Sequence, residues 1–170
     1  MKKLFKVALV AGCLFFAGNV AQAQSKIGHI AFNQLIDQMP ETKTVQKQIQ
    51  DYQKTFVDQL TALNNELQTN AQGYDAKKAT MTDAARTAKE AELQDSNKRL
   101  QDFQAKAQQQ VGDKTQQLSK PLLDKARAAV QAVAKEKGYT YVIDTSQTEL
   151  LVSPEADNMM AAVKAKLGLK

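Results

Sequence analysis

The stretch GYTYVIDTSQTELLVS, residues 138–153, decides the fold. The residues before it are rich in Gln, Ala and Lys, with no proline between Pro40 and Pro121. They read as helix. Gly138 follows Lys135, Glu136 and Lys137 as a helix C-cap, and β-branched and aromatic residues then arrive in two short runs. The spacing predicts two strands, about 140–144 and 149–152, around the turn Thr145-Ser146-Gln147-Thr148. Asp144 reads as a turn-initiating carboxylate ahead of Thr145 and Ser146. Ser153 is expected to cap a last helix with Pro154 at its first position and Glu155 next. The apolar face of that helix is Met159, Met160, Val163 and Leu167.

A second strand signal lies near the other end, in SKIGHIAFN, residues 25–33. Gly28, Ile30 and Phe32 alternate with Ile27, His29 and Ala31, and apolar residues on both sides predict a strand buried on two faces. Residues 34–39 suit a short helical turn, and Pro40 fits the first turn of the helix that follows.

Between these ends runs a helical hairpin. Apolar residues fall at Val45, Ile49, Tyr52, Phe56, Leu60, Leu63, Leu67, Ala71 and Tyr74, a repeat close to 3.67 residues per turn. That period matches an unstrained α-helix and predicts a nearly straight pairing in place of a heptad supercoil. The stripe is narrow and its flanks are polar, so the helix packs along one partner and not inside a globule. The partner begins near Thr80, Met81, Thr82 and Asp83, where Thr80 or Thr82 serves as N-cap. Its thin stripe is Leu93, Leu100, Phe103, Ala107, Val111, Leu118 and Leu122. A run of ~55 helical residues spans ~80 Å, far beyond the diameter of a compact domain of this mass, so the hairpin projects. Gly73 lies inside the first helix at a cost of ~1 kcal/mol relative to alanine. Pro121 interrupts the second, where a helix boundary and a hinge compete. The hinge is favoured because the face becomes richer afterwards, with Leu122, Leu123, Ala126, Ala129, Val130 and Val133.

The first residues read as an export signal. Lys2, Lys3 and Lys6 form a basic start, Val7 to Phe16 an apolar run, and Ala21-Gln22-Ala23 a cleavage pattern between Ala23 and Gln24. A lipoprotein pattern at Val10-Ala11-Gly12-Cys13 competes, making Cys13 a lipid-bearing N-terminus. Cys13, however, sits inside the apolar run and a complete cleavage site follows it. Without lipidation the mature chain has no cysteine and no disulfide. The whole chain carries 23 Lys and Arg against 18 Asp and Glu. Loss of the three leader lysines leaves 20 against 18, a net charge of +2. Export and the absence of a concentrated basic patch argue against nucleic acid as a partner.

No catalytic constellation is present. His29 is the single histidine, so two-His triads and multi-His metal sites are excluded, and between Ile27 and Ala31 it reads as a packed strand residue. There is no glycine-rich phosphate loop and no clustered acidic ligand set. An enzyme is not expected, and neither is a cofactor or metal.

Three regions follow the leader of residues 1–23. Residues 24–44 form the N-terminal strand and short helix of a body. Residues 45–120 form the hairpin arm with its tip near 79–82, and 121–170 return to the body with the end of the long helix, a β-hairpin and a last helix. The expected fold is α+β and mostly helical, a long antiparallel α-helical arm on a small β body. A body of roughly 60–70 residues is marginal alone. With cysteine absent, subunit association is the natural remedy, through strands completing a shared sheet.

This order of parts resembles the Skp/OmpH periplasmic chaperones of outer-membrane proteins, over about residues 26–169. The resemblance rests on KIGHIAFNQL, on the Gln-rich hairpin, and above all on LLDKARAAVQAVAKEKGYTYVIDTSQTELLVSPEADNMMAAVKAKLGL. It implies a homotrimer with a shared central β-barrel and three arms around a cavity. It implies an ATP-independent holdase whose partners are unfolded outer-membrane β-barrel proteins. Trimerisation and body residues would then be Ile27, Ile30, Phe32, Tyr141, Val142, Ile143, Leu150, Leu151 and Val152. Pro121 would be the arm hinge. Candidate client contacts would be the stripe residues Phe56, Leu60, Leu63, Leu67, Tyr74, Met81, Leu93, Leu100 and Phe103. Transient contact with a membrane surface is a further expectation. One departure stands out: arms in the family are often basic, whereas residues 66–114 here hold eight cations and eight anions. Electrostatic attraction should contribute less, apolar and glutamine contacts more, and no lipopolysaccharide site carries over. The alternative reading is a structural coiled-coil spacer or tether of the cell envelope.

Overall fold

The computed structural model describes residues 25–169. The leader, its cleavage point at Ala23 and Gln24, and Cys13 lie outside them. Six elements follow in order: β1 (Ile27–Ile30), α1 (Phe32–Gln38), α2 (Pro40–Lys77), α3 (Asp83–Lys137), β2 (Tyr141–Asp144) and α4 (Met160–Lys166). Short 3-10 turns occupy Lys78–Thr80 and Glu155–Asp157. The α+β, mostly helical architecture with a projecting antiparallel arm is the one observed.

The arm is α2 against α3. Pro40 stands at the start of α2, where its missing N–H costs nothing. Thr82 caps α3, its hydroxyl accepting from the Ala85 N–H at 3.3 Å. The helices of 38 and 55 residues measure about 57 and 82 Å. Contacts run antiparallel: Glu41 with Lys125, Tyr52 with Lys114, Phe56 with Phe103, and Tyr74 with Glu90. Pro121 sits, exposed, within a helix that continues unbroken to Lys137.

The two strands pair in parallel, Ile27 opposite Tyr141 through Ile30 opposite Asp144. Parallel strands need a crossover, and here the crossover is the whole arm. The expected strand over 149–152, and with it the β-hairpin, does not form. The reason is topological. After β2 the chain must cross to the far edge of β1, where Asn158 bridges His29 and the Met159 N–H donates to the His29 carbonyl at 2.9 Å. Residues 145–157 are spent on that crossing and make no ladder with β2. The expected helix start at Ser153 and Pro154 is also corrected. Pro154 opens the 3-10 turn, and α4 begins at Met160, whose N–H is capped by the Asn158 side chain at 3.0 Å.

The core lies where α1, the base of α3, the sheet and α4 meet. Ile30, Leu35, Met39, Leu122, Ala126, Ala129, Val133, Met159 and Val163 are buried together. Of β1, only the side bearing Gly28 and Ile30 is buried within the chain, and Ile27 is 48% exposed, so the strand is not covered on both faces. Gly28 is required by close approach: a Cβ there would lie 2.8 Å from the Met159 sulfur. Gly138 is required by conformation, closing α3 at φ 72° in the left-handed region.

Candidate functional site

Two surfaces could bind something: the arm, and the outward side of the body sheet. The ends of the chain are locked together first. The Asp144 carboxylate accepts from the Ser146 N–H at 2.8 Å and from the Phe32 N–H at 3.1 Å. The Ser146 hydroxyl accepts from the Asn33 N–H at 2.8 Å. The first amides of α1, which lack partners of their own, are thus capped from residues more than a hundred positions away. Burial alone would raise the Asp144 pKa; the hydrogen bonds from Ser146 and Phe32 outweigh it and hold the carboxyl below its ordinary value. Asp144 is a turn initiator, as its sequence context suggests, and also a tertiary helix cap, which one sequence segment alone could not reveal.

At the other end of the strand pair, Lys26 lies 4.3 Å from the Tyr139 ring centroid and donates to the Lys137 carbonyl at 3.1 Å. The Tyr139 hydroxyl reaches the Ala156 carbonyl and the Asp157 carboxylate, each at 3.3 Å. Burial, and then the Asp157 charge, raise its pKa. His29 places Nε2 3.3 Å from the Pro154 carbonyl.

The predicted body residues divide. Ile30 is buried, and Phe32 and Val142 pack against the core. Ile27 and Tyr141 stand paired on the open side, 48% and 61% exposed. A shallow groove there is lined by Ile27, Ile143, Leu150, Val152 and Pro154. Leu151 and Val152 project from the irregular crossing segment at 94% and 85% exposure.

The predicted stripe residues are brought together in the arm. Phe56, Leu60, Leu63, Leu67, Tyr74, Met81, Leu93, Leu100 and Phe103 are all half-buried. Phe56 makes an edge contact with Tyr52 at 5.1 Å and a tilted one with Phe103 at 6.1 Å. The Tyr74 hydroxyl donates to Glu90, a bond that raises the tyrosine pKa. These side chains are therefore partly used in closing the helix pair. Sequence reasoning missed Val57, 49% exposed and off the seam. Its signal was available: an apolar residue out of phase with the 3-4 spacing.

The arm's charges neutralise one another locally. Lys47 pairs with Asp51, Lys54 with Asp58, Lys98 with Asp102 and Arg99 with Asp95, all within one helix. The Asp102 hydrogen bond raises the Lys98 pKa. At the arm's root the hydrogen bond from Lys125 lowers that of Glu41. Among the described residues there is no cluster of three or more His, Cys, Asp or Glu that could hold a metal, and no helix long and apolar enough to cross a membrane.

Known proteins share this architecture. A putative outer membrane chaperone (OmpH-like) from Caulobacter crescentus superimposes with a TM-score of 0.68 at 19% identity, covering 84% of this chain and 83% of that one. "Chaperone protein Skp" of Photorhabdus luminescens is 28% identical over 166 residues, 96% of this chain and 97% of its own. That of Yersinia enterocolitica is 29% identical over 136 residues, 78% of this chain and 81% of its own. The family described as "Outer membrane protein (OmpH-like)" matches residues 26–167. This match covers nearly all of the described arm and body, and the chain belongs to the OmpH-like family.

Proposed function

We propose that the protein is an exported periplasmic holdase that binds unfolded outer-membrane β-barrel proteins between helical arms, without nucleotide, and keeps them from aggregating. The observation that carries this reading is a two-helix arm about 55 Å long rooted in a small body, in a chain of the OmpH-like family. Unfolded barrel proteins carry short segments of alternating hydrophobicity and unpaired strand edges. Such clients need many weak contacts over a long surface, and a projecting two-helix arm supplies length without a fixed pocket. No step in holding requires a catalytic group, a cofactor or a metal.

The working unit in this reading is a homotrimer. Support comes from Ile27, Tyr141, Leu151 and Val152, which are exposed on the body although large and apolar. A two-stranded sheet is also too small to be stable alone. The outward-facing members of the body set, Ile143 and Leu150 included, would meet other subunits, building a shared β-barrel. Pro121, at the junction of thin seam and rich core, would let the arm swing. The near-neutral arm makes membrane contact transient and weak, and nucleic acid is not a partner.

The test is dilution of a urea-unfolded outer-membrane barrel protein into buffer with and without the mature chain. The expected result is suppressed light scattering at one trimer per client. Unchanged scattering at low and high salt would overturn the holdase reading and favour an envelope spacer. A monomer mass at micromolar concentration would overturn the trimer.

A further inference from the structure

Beyond the seam, the two sides of the arm differ. On α2, Gln46, Gln50, Gln53, Val57, Asn64 and Gln68 recur at steps of four, three, four, seven and four. At 3.6 residues per turn they form a second stripe along one flank of the seam. All six are exposed. The charged residues of the same stretch, Lys47, Asp51, Lys54, Asp58 and Glu66, fall elsewhere on the helix circumference. On α3, Gln94, Asn97, Gln101, Gln104 and Gln108 repeat at steps of three, four, three and four, again all exposed. Asp95, Lys98, Arg99, Asp102 and Lys106 point outward from them.

The handedness of the helices puts both stripes on one side of the hairpin. In an antiparallel pair, the flank reached by advancing clockwise from the seam on one helix meets the flank reached in the same residue sense on the other. The structure agrees: a groove on this side is lined by Leu67 and Ala71 of α2 together with Leu93, Gln94, Asn97 and Gln101 of α3, with Lys98 at its rim. The Gln101 amide donates to Asn97 at 3.0 Å along the stripe. The opposite side differs. There the groove beside Tyr52 is lined by Asp113 and Lys114 as well as Gln110 and Gln117.

We propose that this amide-lined side of the arm, flanking the half-open seam, is the surface that holds clients, and that its ligand is one extended polypeptide segment gripped through its unpaired backbone. The inference rests on the holdase reading and assigns the contact to a place and a chemistry. Side-chain amides both donate and accept, so they match a strand's N–H and C=O groups whatever its sequence. The ordered stretch from Gln46 to Gln68 covers about 33 Å, the reach of roughly ten extended residues. That is about the length of one transmembrane β-strand of a barrel. Partly exposed Val57, Leu67 and Leu93 then receive alternate apolar side chains. The charge at the groove's rim, Lys98, is paired with Asp102, so holding depends little on ionic strength.

The experiment uses the full mature chain and a fluorescently labelled, urea-unfolded eight-stranded outer-membrane barrel protein. Two triple variants carry equal added charge: Gln53→Glu with Gln101→Glu and Gln104→Glu on the amide side, and Gln59→Glu with Gln110→Glu and Gln117→Glu on the other. Loss of three backbone-matching amides should weaken client affinity roughly tenfold in the first, and within about twofold in the second. Wild-type affinity should change less than about threefold between 50 and 500 mM NaCl. A photo-crosslinker at Gln101 should capture client, and one at Gln110 should not. Equal losses in both variants, capture at Gln110 alone, or a steep salt dependence overturns the proposal while leaving the holdase reading intact. Capture at Gln101 of a second copy of the chain overturns it in favour of an arm–arm interface. A wild-type protein that binds no client overturns both.

Discussion

Nine apolar side chains are buried together in the body, whereas in the arm between residues 45 and 120 only Ala107 falls below a tenth exposed. The arm is nevertheless regular and continuous over two long helices. Its order comes from backbone hydrogen bonds, intrahelical ion pairs and a half-buried seam; the body's order comes from packing. The difference teaches where each can tolerate change. A surface that must accept many shapes cannot also be a tight jigsaw, because interior packing to native density selects one arrangement.

The same truncation applied to both regions is the strongest way to break this contrast. Leu35→Ala removes a side chain with no exposure, and should destabilise by about 2–5 kcal/mol in urea unfolding. Leu63→Ala, on the half-buried seam, should cost roughly 1 kcal/mol. Equal losses would show that the arm is cored like the body. Gly28→Val follows in size. Its new Cβ would meet the sulfur of Met159, itself 1% exposed and without room to retreat. Overpacking of about 1–3 kcal/mol is expected, and no loss of stability would mean that β1 and α4 can part freely.

Asp144 sharpens the comparison differently, since it joins chain ends without belonging to the core. Its pKa is lower in the folded state than its ordinary value near 3.8. Folding then favours the ionised form. The stabilisation is present above the unfolded pKa and is lost as pH falls through the folded pKa, in the window below about pH 4. Asp144→Ala should cost about 1 kcal/mol at pH 7, as loss of a helix cap does. Asp144→Asn should flatten the acid limb of the stability–pH curve. An unchanged acid limb would assign acid sensitivity to other carboxylates.

The arm was legible in the sequence almost residue by residue. Each position from Val45 to Tyr74 assigned to the first stripe is among the protected residues of α2, because a 3.67-residue repeat has one geometric reading. The base of α3 was legible too, through Leu122, Ala126, Ala129 and Val133. The sheet was not. Residues 149–152 have strand composition, yet composition reports only side-chain preference. What decides the outcome is Asn158 reaching the far edge of β1, a contact between segments far apart in sequence. The cap that Asp144 and Ser146 place on α1 was hidden for the same reason. The split of the body residues into inward Ile30 and outward Ile27 became visible only with the strand register.

The smallest expected effect bears most directly on why the arm is built as it is. Gly73 and Gly112 lie within α2 and α3, and a Cβ at either would meet nothing within 4 Å. Neither has a positive φ. Alanine therefore fits at both without strain and should stabilise each helix by about 0.5–1 kcal/mol, by restricting the unfolded chain and restoring helix propensity. Glycine at such positions is a cost that the fold does not require, in contrast to Gly28 and Gly138 in the body. The paired outcome is informative: Gly112→Ala should raise the thermal midpoint of helicity, whereas Gly138→Ala should lower it, because φ at 138 is 72°. If Gly112→Ala also narrows the distribution of arm conformations in small-angle scattering and slows client capture, glycine is retained for compliance of the arm. If scattering and capture are unchanged while stability rises, compliance resides in the half-buried seam itself, and Gly112 is incidental to it.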